Sequence, residues 1–382
     1  MERRVYLTWG LLYFNTLTFF GGISFIPIPS SVGKALTQVT LPAALLIALT
    51  INRRLFIRPN VLLCLISLLV VGTILTSLDP QHFGTVYRSV RLAMFVATLW
   101  LLTPWWGRRD LLLVRCHLAV QFVILGSVIV GLCLAPSRAL SFGRLVGALW
   151  PIPAPQVAHY AAVSTGLIAV LWFCGRVHGR MPLLAVTGTI LILVLTHTRT
   201  ALVGMVAGIL VAGLSLIVTS HRVRWLFGSA CVMAAVVVMT LSSVLLNWLA
   251  RGEGSDELTS LTGRTTVWSG ILTTPRNWFQ ETFGFGLSNA SYNGLSIDSN
   301  WLASYQEQGL YGVILCGTIL VFLIVTAYFQ PRGVQRALAL FLITYCLVAS
   351  FTEVGFTDAT PYLLEITLAA SLLVPQQSQS GV

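Results

Sequence analysis

The chain has 382 residues, of which 56 % are hydrophobic and 9 % charged, and its mean hydropathy is +0.85. Soluble domains carry about 25 % charged residues, so this composition excludes a water-soluble globule and describes a membrane protein. The formal net charge of +11 suits anionic lipid, and nothing in the chain supports nucleic-acid binding.

A spanning helix takes about 20 residues. Met1-Glu2-Arg3-Arg4 opens the first apolar run, which is long and is followed by Pro27-Ile28-Pro29 rather than a small-residue cleavage site, so it reads as a span and not a signal peptide. Runs bounded by Pro, Gly, Arg and turn residues predict twelve spans, at 6–26, 35–51, 60–77, 86–103, 111–134, 156–175, 182–196, 200–219, 225–249, 309–328, 335–351 and 360–374. They use roughly 240 residues, leaving no room for a separate soluble domain. Residues 1–382 are therefore one integral membrane domain, an all-α polytopic helix bundle, with 250–300 as its one large extracytoplasmic loop segment.

Alternate connections hold Arg3 and Arg4; Arg53, Arg54 and Arg58; Arg108, Arg109 and Arg115; Arg176 and Arg180; Arg222 and Arg224; and Arg332 and Arg336. The positive-inside rule puts these, and both termini, in the cytoplasm, with the large loop outside. No inverted repeat of the kind many transporters carry is visible. The seven cysteines lie in or beside apolar runs without metal-ligand spacing and read as small packing residues.

Nine basic residues fall on the other side: Lys34, Arg88, Arg91, Arg138, Arg144, Arg199, Arg251, Arg264 and Arg276. A guanidinium near the hydrocarbon boundary is costly unless an anion pairs with it. One reading pairs each with an outer acid: Asp79, Glu253, Asp256, Glu257, Glu281, Asp298, Glu307, Glu353 or Asp358. The other is a site for a phosphate-bearing ligand, which the planar fork binds bidentately. Arg88 and Arg91, three apart, share one helix face.

Four outer segments have more polar detail than a connector requires. Arg144-Leu145-Val146-Gly147 leads through Pro151, Pro153 and Pro155 to Gln156, His159 and Tyr160, the prolines stiffening the approach to the sixth helix. Thr196-His197-Thr198-Arg199-Thr200-Ala201 is a polar hinge in which Thr198 or Thr200 is placed to cap the next helix, whose first amides favour an anion beside Arg199. Gly263-Arg264-Thr265-Thr266-Val267-Trp268 reads as a turn and an amphipathic helix to about Thr274. Asp298-Ser299-Asn300-Trp301-Leu302 precedes Glu307-Gln308-Gly309-Leu310-Tyr311-Gly312 at the mouth of the tenth helix; Asp298 to Asn300 either caps a helix or supplies a carboxylate base.

In that order these segments, with Gly284-Phe285-Gly286 between the last two, resemble the O-antigen ligase and Wzy-type polysaccharide polymerase superfamily over about 144–312. The resemblance implies a GT-C-like helical architecture in the bacterial cytoplasmic (inner) membrane and glycosyl transfer at its outer face. The donor it implies is a glycan linked to polyprenyl diphosphate such as undecaprenyl diphosphate, without cofactor or metal and with inversion at C1. Arg199 and Arg264 correspond to the family's arginines that hold the diphosphate, with Arg144 a third. In the ligase branch a histidine stands where this chain has Asp298, a departure that favours the polymerase branch, for O-antigen, capsule or exopolysaccharide.

Asp298, Arg264 and Arg199 are thus the candidate catalytic residues, with His159, Glu307 and Glu353 as further candidates for the base. Arg144, Arg88, Arg91, His159, Trp268, Asn300 and Glu307 are candidate substrate-binding residues. The glycan donor and acceptor and membrane lipid are the expected partners, and the family leaves room for a polysaccharide co-polymerase. Trp268, Trp278, Tyr292 and Trp301 suit either stacking on sugars or an interfacial belt. Asp256 with Glu257 reads as a solvated loop or, less simply, a Mg²⁺ site. Two other functions stay open: a ligase that moves a finished glycan to a terminal acceptor, and an anion transporter, for which mid-span Glu365 is the best feature.

Overall fold

A computed structural model of the protein describes residues 2–20, 25, 28–77, 83–141, 143–217, 223–229, 232, 240, 264–288 and 290–375. In chain order these form α1 (Glu2–Asn15), α2 (Ser30–Ile51), α3 (Val61–Ser77), α4 (Phe83–Leu102), α5 (Leu112–Leu134), the single turn α6 (Pro136–Ala139), the hairpin β1 (Leu140–Ser141) and β2 (Arg144–Leu145), α7 (Ala154–Phe173), α8 (Met181–Leu195) and α9 (Arg199–Ile217). There follow α10 (Arg264–Thr273), α11 (Trp278–Phe283), the hairpin β3 (Ser291–Tyr292) and β4 (Leu295–Ser296), α12 (Asn300–Phe329), α13 (Val334–Ala349) and α14 (Pro361–Leu373).

Six described helices are long and apolar enough to cross a membrane. Four more, α3, α8, α13 and α14, are equally apolar at 13 to 17 residues. Nine predicted spans coincide with observed helices to within a few residues, α2 starting five earlier. Most of the ninth predicted span, 225–249, lies outside the described residues, as do Arg251, Glu253, Asp256, Glu257 and Asp79.

Two predicted helices differ. The span 6–26 stops at Asn15. Its end is held by Arg91, whose Nε donates to Asn15 Oδ1 (3.1 Å) and whose Nη2 donates to the Asn15 carbonyl (3.2 Å). The chain then runs beside 151–156: Phe20 N–H donates to the Pro151 carbonyl (2.8 Å), Thr18 N–H to Gln156 Oε1 (3.0 Å), and Gln156 Nε2 to the Thr16 carbonyl (2.9 Å). The tenth predicted span, 309–328, begins nine residues earlier, because α12 starts at Asn300 and passes through a break at Gly309 (φ 63°, ψ −160°).

Near the break, carbonyls of α12 accept from other segments, the usual remedy for an interrupted helix. Arg276 Nη1 donates to Tyr305 O (3.0 Å), Phe285 N–H to Gln306 O (2.9 Å) and Gly286 N–H to Glu307 O (2.9 Å). Glycine is required here twice. A Cβ on Gly309 would lie 2.5 Å from the Thr282 carbonyl group, and one on Gly284 2.4 Å from Gln308 N. The Gly284-Phe285-Gly286 motif and the Gly309 break are thus two halves of one backbone-to-backbone joint.

Helix α7 is the axis of the bundle and is almost wholly buried. It packs on α5, α8, α9 and α13. Small residues allow this, as is usual between helices in lipid: Phe341 of α13 wedges against Gly166 of α7 and Gly208 of α9, where an added Cβ would fall 1.8 Å and 2.7 Å from its ring.

Polar contacts divide between the two ends. At one, Arg108 bonds Glu2 (2.7 Å) and Asp110 (2.8 Å), and Arg115 also bonds Asp110 (2.9 Å). At the other meet the end of α1, the starts of α4, α7, α9, α12 and α14, both hairpins, α10, and the 350–360 loop. The segments singled out in the sequence gather at this second end.

Candidate functional site

The 350–360 loop forms the middle of that end and is tethered from several sides. Asn300, fully buried, accepts at Oδ1 from the backbone N–H groups of Gly355 (3.1 Å) and Phe356 (2.8 Å). Trp301 Nε1 donates to Ser350 Oγ (3.2 Å), Gln308 Nε2 to the Thr357 carbonyl (3.1 Å), and Thr200 and Thr352 share a hydroxyl bond of 2.7 Å. Thr360 donates to the Gly355 carbonyl and, as the N-cap of α14, accepts from Leu363 N–H (3.3 Å). Glu353 is carried on this fixed loop, its own N–H on the Ala349 carbonyl (2.8 Å).

Glu353 is where the candidate groups converge. Burial is the main cause pushing its carboxyl up to about 7, and the charge of Asp298 adds to it, while His159, Arg264 and Arg144 act the other way. Arg264, at the start of α10, donates from Nε to Asp298 Oδ2 (3.1 Å), and Ser296 donates to Asp298 Oδ1 (2.6 Å). That ion pair is about one-third exposed on each side, so it is adjustable rather than locked. Asp298 therefore does not cap α12, whose start is held by Asn300 N–H on the Ser350 carbonyl (2.9 Å).

Arg144, on β2, donates from Nε to the Thr196 carbonyl (3.0 Å) and from Nη2 to Thr198 Oγ1 (3.1 Å). Burial lowers the pKa of its guanidinium, and Glu353 opposes this. The α8–α9 turn that receives it reverses the chain through His197, a non-glycine residue in the left-handed region (φ 50°). Arg199 is the first residue of α9, beside this turn. Besides accepting from Arg144, the Thr198 hydroxyl donates to the Thr196 carbonyl (3.3 Å).

Under Glu353 lies a cavity of about 300 Å³, lined among others by Thr18, Gln156, His159, Thr360 and Tyr362. His159 forms its inner wall. Its Nε2 lies 2.6 Å from Glu365 Oε1, and its Nδ1 is 3.0 Å from the Tyr345 hydroxyl. Glu365, wholly buried, also faces His117 at 3.9 Å. The mid-span carboxylate thus sits beside polar groups of α7 and α5.

Other candidates lie apart or hold the frame. Arg88 (3.2 Å) and Arg91 (3.7 Å) share Asp358, and Arg91 also bonds the Ala359 carbonyl (2.9 Å). Glu307, buried, accepts at one oxygen from Ser288 N–H (2.8 Å), Ser288 Oγ (2.8 Å) and Ala290 N–H (3.0 Å), fastening the 288–290 loop to α12. Asn300 likewise holds the 350–360 loop through its side-chain oxygen. Trp268 packs half-buried in a small satellite core with Val267, Ile271, Ile297 and Val354. Among the described residues no group of three or more His, Cys, Asp or Glu is placed to hold a metal ion.

In the sequence Glu353 is one of several outer acids and one of three further candidates for the base behind Asp298. No local motif marks it; its position depends on Asn300, Thr200 and Trp301, all distant in sequence.

No family model and no curated protein matches the chain. Among solved structures, one described as "Structural coordination of polymerization and crosslinking by a peptidoglycan synthase complex" is similar over 82 % of this chain and 96 % of its own, at 18 % identity and a TM-score of 0.44. At that degree of likeness the chemistry has to be argued from this chain's own geometry.

Proposed function

We propose that the protein is a membrane glycosyltransferase of GT-C-like design that joins oligosaccharide repeat units linked to polyprenyl diphosphate, at the outer face of the bacterial cytoplasmic membrane. The observation that supports this reading is the convergence of Arg264, Arg144, Asp298 and Glu353 at one end of an apolar bundle, over a polar cavity that reaches His159.

Two guanidinium groups beside two carboxylates suit a reaction in which negative charge moves. As the bond from C1 of the donor sugar to its phosphate oxygen breaks, charge grows on the leaving diphosphate. Fixed cations then stabilise the transition state more than the ground state. Arg264 contacts Asp298 through Nε, which leaves its two terminal nitrogens to take phosphate oxygens. Arg144, latched to the α8–α9 turn, and Arg199 at the start of α9 supply the second flank. Arg88 and Arg91 serve the approach of the anionic donor more than the chemical step.

The test is transfer by the purified protein in lipid vesicles supplied with a polyprenyl-diphosphate oligosaccharide, with products resolved by gel. A ladder of lengthened glycan is expected, and Arg264→Ala or Arg199→Ala should each lower the initial rate about a hundredfold or more. Ladder formation at the parent rate in both variants would refute the assignment. Addition of a single glycan to one acceptor, without a ladder, would indicate the ligase reaction.

A further inference from the structure

We propose that the cavity above His159 seats the sugar that attacks, and that Glu353, standing between this cavity and the arginines, takes the proton from its hydroxyl. The inference rests on the glycosyl-transfer reading and specifies the half of the site that reading leaves open, the acceptor and its base.

The cavity has the build of a carbohydrate subsite. Its volume of about 300 Å³ is at the small end of the roughly 300–1,000 Å³ of ligand pockets, suited to a sugar ring or two rather than a lipid chain. It is lined by threonine hydroxyls and the Gln156 amide, by three prolines and Val354, and by the Tyr362 ring, which meets His159 edge-on with centroids 4.3 Å apart. His159 is itself held at both nitrogens, by Glu365 and Tyr345. The floor is thereby a fixed surface, which makes His159 a positioning residue.

Of the carboxylates at this end, Glu353 alone both lines the cavity and faces the arginines, among the described residues. Asp298, by contrast, does not line the cavity and pairs with Arg264 and Ser296. The charged and titratable groups that face Glu353 are Arg144 from β2, His159 from α7, Arg264 from α10, Asp298 ahead of α12, Tyr345 from α13 and Tyr362 from α14. A general base works best when its pKa lies near the operating pH, and burial brings Glu353 there.

In the step, the acceptor O–H bond releases its proton to a Glu353 oxygen as the hydroxyl oxygen forms the bond to C1. The bond from C1 to the diphosphate oxygen breaks, and its electron pair stays on the diphosphate facing Arg264 and Arg144. Glu353 then returns the proton to solvent as the product leaves.

The experiment measures transfer rates in the vesicle assay, with a polyprenyl-diphosphate oligosaccharide, from about pH 5.5 to about pH 8.5. Because the base acts ionised, the parent rate should climb about tenfold per unit below pH 7 and level off above it. Glu353→Gln should lose 10²- to 10⁴-fold, a range typical of a missing general base, together with the rising limb. Asp298→Asn should keep the limb, and Glu353→Asp should keep it at a reduced rate, which also covers the case that Glu353→Gln does not fold. Thr18→Trp, which narrows the cavity mouth, should abolish transfer while binding of radiolabelled polyprenyl diphosphate persists.

A limb lost in Asp298→Asn and kept in Glu353→Gln would overturn the role of Glu353. Parent-level transfer by Thr18→Trp would overturn the cavity's role. Either result with Arg264→Ala inactive leaves the glycosyltransferase reading standing, whereas parent-level transfer by Arg264→Ala defeats the reading beneath both.

Discussion

Asn300 shows how one side chain sets the geometry of a whole end of the molecule. Its amide oxygen takes two backbone N–H groups of the loop that carries Glu353, and it does so from a fully buried position. Asn300→Ala should orphan both donors at about 1–3 kcal/mol each, lowering the melting temperature in detergent and reducing transfer through a displaced Glu353. Asn300→Asp keeps the acceptor and should recover most of the stability, although it adds a charge. The Arg264 fork makes a different point at the same scale. Arg264→Lys retains the charge but not two parallel donors, so its rate is expected between those of the parent and Arg264→Ala. Reading outer arginines as either carboxylate-paired or phosphate-binding was a true ambiguity, because a sequence lists charges without distances. In the fold Arg88 and Arg91 converge on Asp358 and Arg264 meets Asp298, so all three have carboxylate partners, and phosphate binding by Arg264 belongs to the proposed function.

Among the elements, α12 departs furthest from what periodicity suggests. Hydropathy marks its apolar part from Gly309 onward, and the preceding turns, Asn300 to Gln308, are too polar to be recognised as the same helix. They are helical because tertiary contacts use their polar groups: Asn300 and Gln308 on the 350–360 loop and Glu307 on 288–290. The joint at Gly309 lets the polar half-helix tilt away from the apolar one. Gly309→Ala should be strongly destabilising, since alanine is strained at φ 63° and its Cβ would strike backbone atoms of Thr282 and Glu281. The expected result is loss of the folded, monodisperse protein or a melting temperature far below the parent's. Gly317→Ala, later in α12 where a Cβ meets nothing within 4 Å, should leave stability nearly unchanged. The premature end of α1 has the same kind of cause, for Arg91 takes hold of Asn15 across a sequence distance that local propensity does not register.

For the molecule as a whole, the proposed function carries a prediction about orientation. It requires the end that holds Arg108, Glu2 and Asp110 to face the cytoplasm, as the positive-inside rule expects, and the other end to face outside. Leu295, exposed in the β3–β4 hairpin, and His178, exposed in the α7–α8 connection, then lie on opposite sides. In intact cells a membrane-impermeant thiol reagent should label Leu295→Cys above the parent's background and His178→Cys only after lysis. The reverse pattern would place the site in the cytoplasm and remove the outer-leaflet reaction.

Sequence by itself determined what composition and order can carry: a membrane protein, the positions of most apolar helices, the basic character of one face, and polar motifs that return at the other. Those properties are set by the solvent each segment must meet, and a linear chain records them directly. The tertiary structure decided which polar groups stand together. Only packing around α7 brings His159 and Glu353 to one cavity, with Arg264 and Arg144 near Glu353, and only contacts between segments remote in sequence, such as Arg276 with Tyr305 (29 residues apart), Arg91 with Asn15 (76) and Thr200 with Thr352 (152), break α12, stop α1 and fix the loop between α13 and α14. Such contacts depend on distances between remote segments, a quantity that neither hydropathy nor local spacing contains.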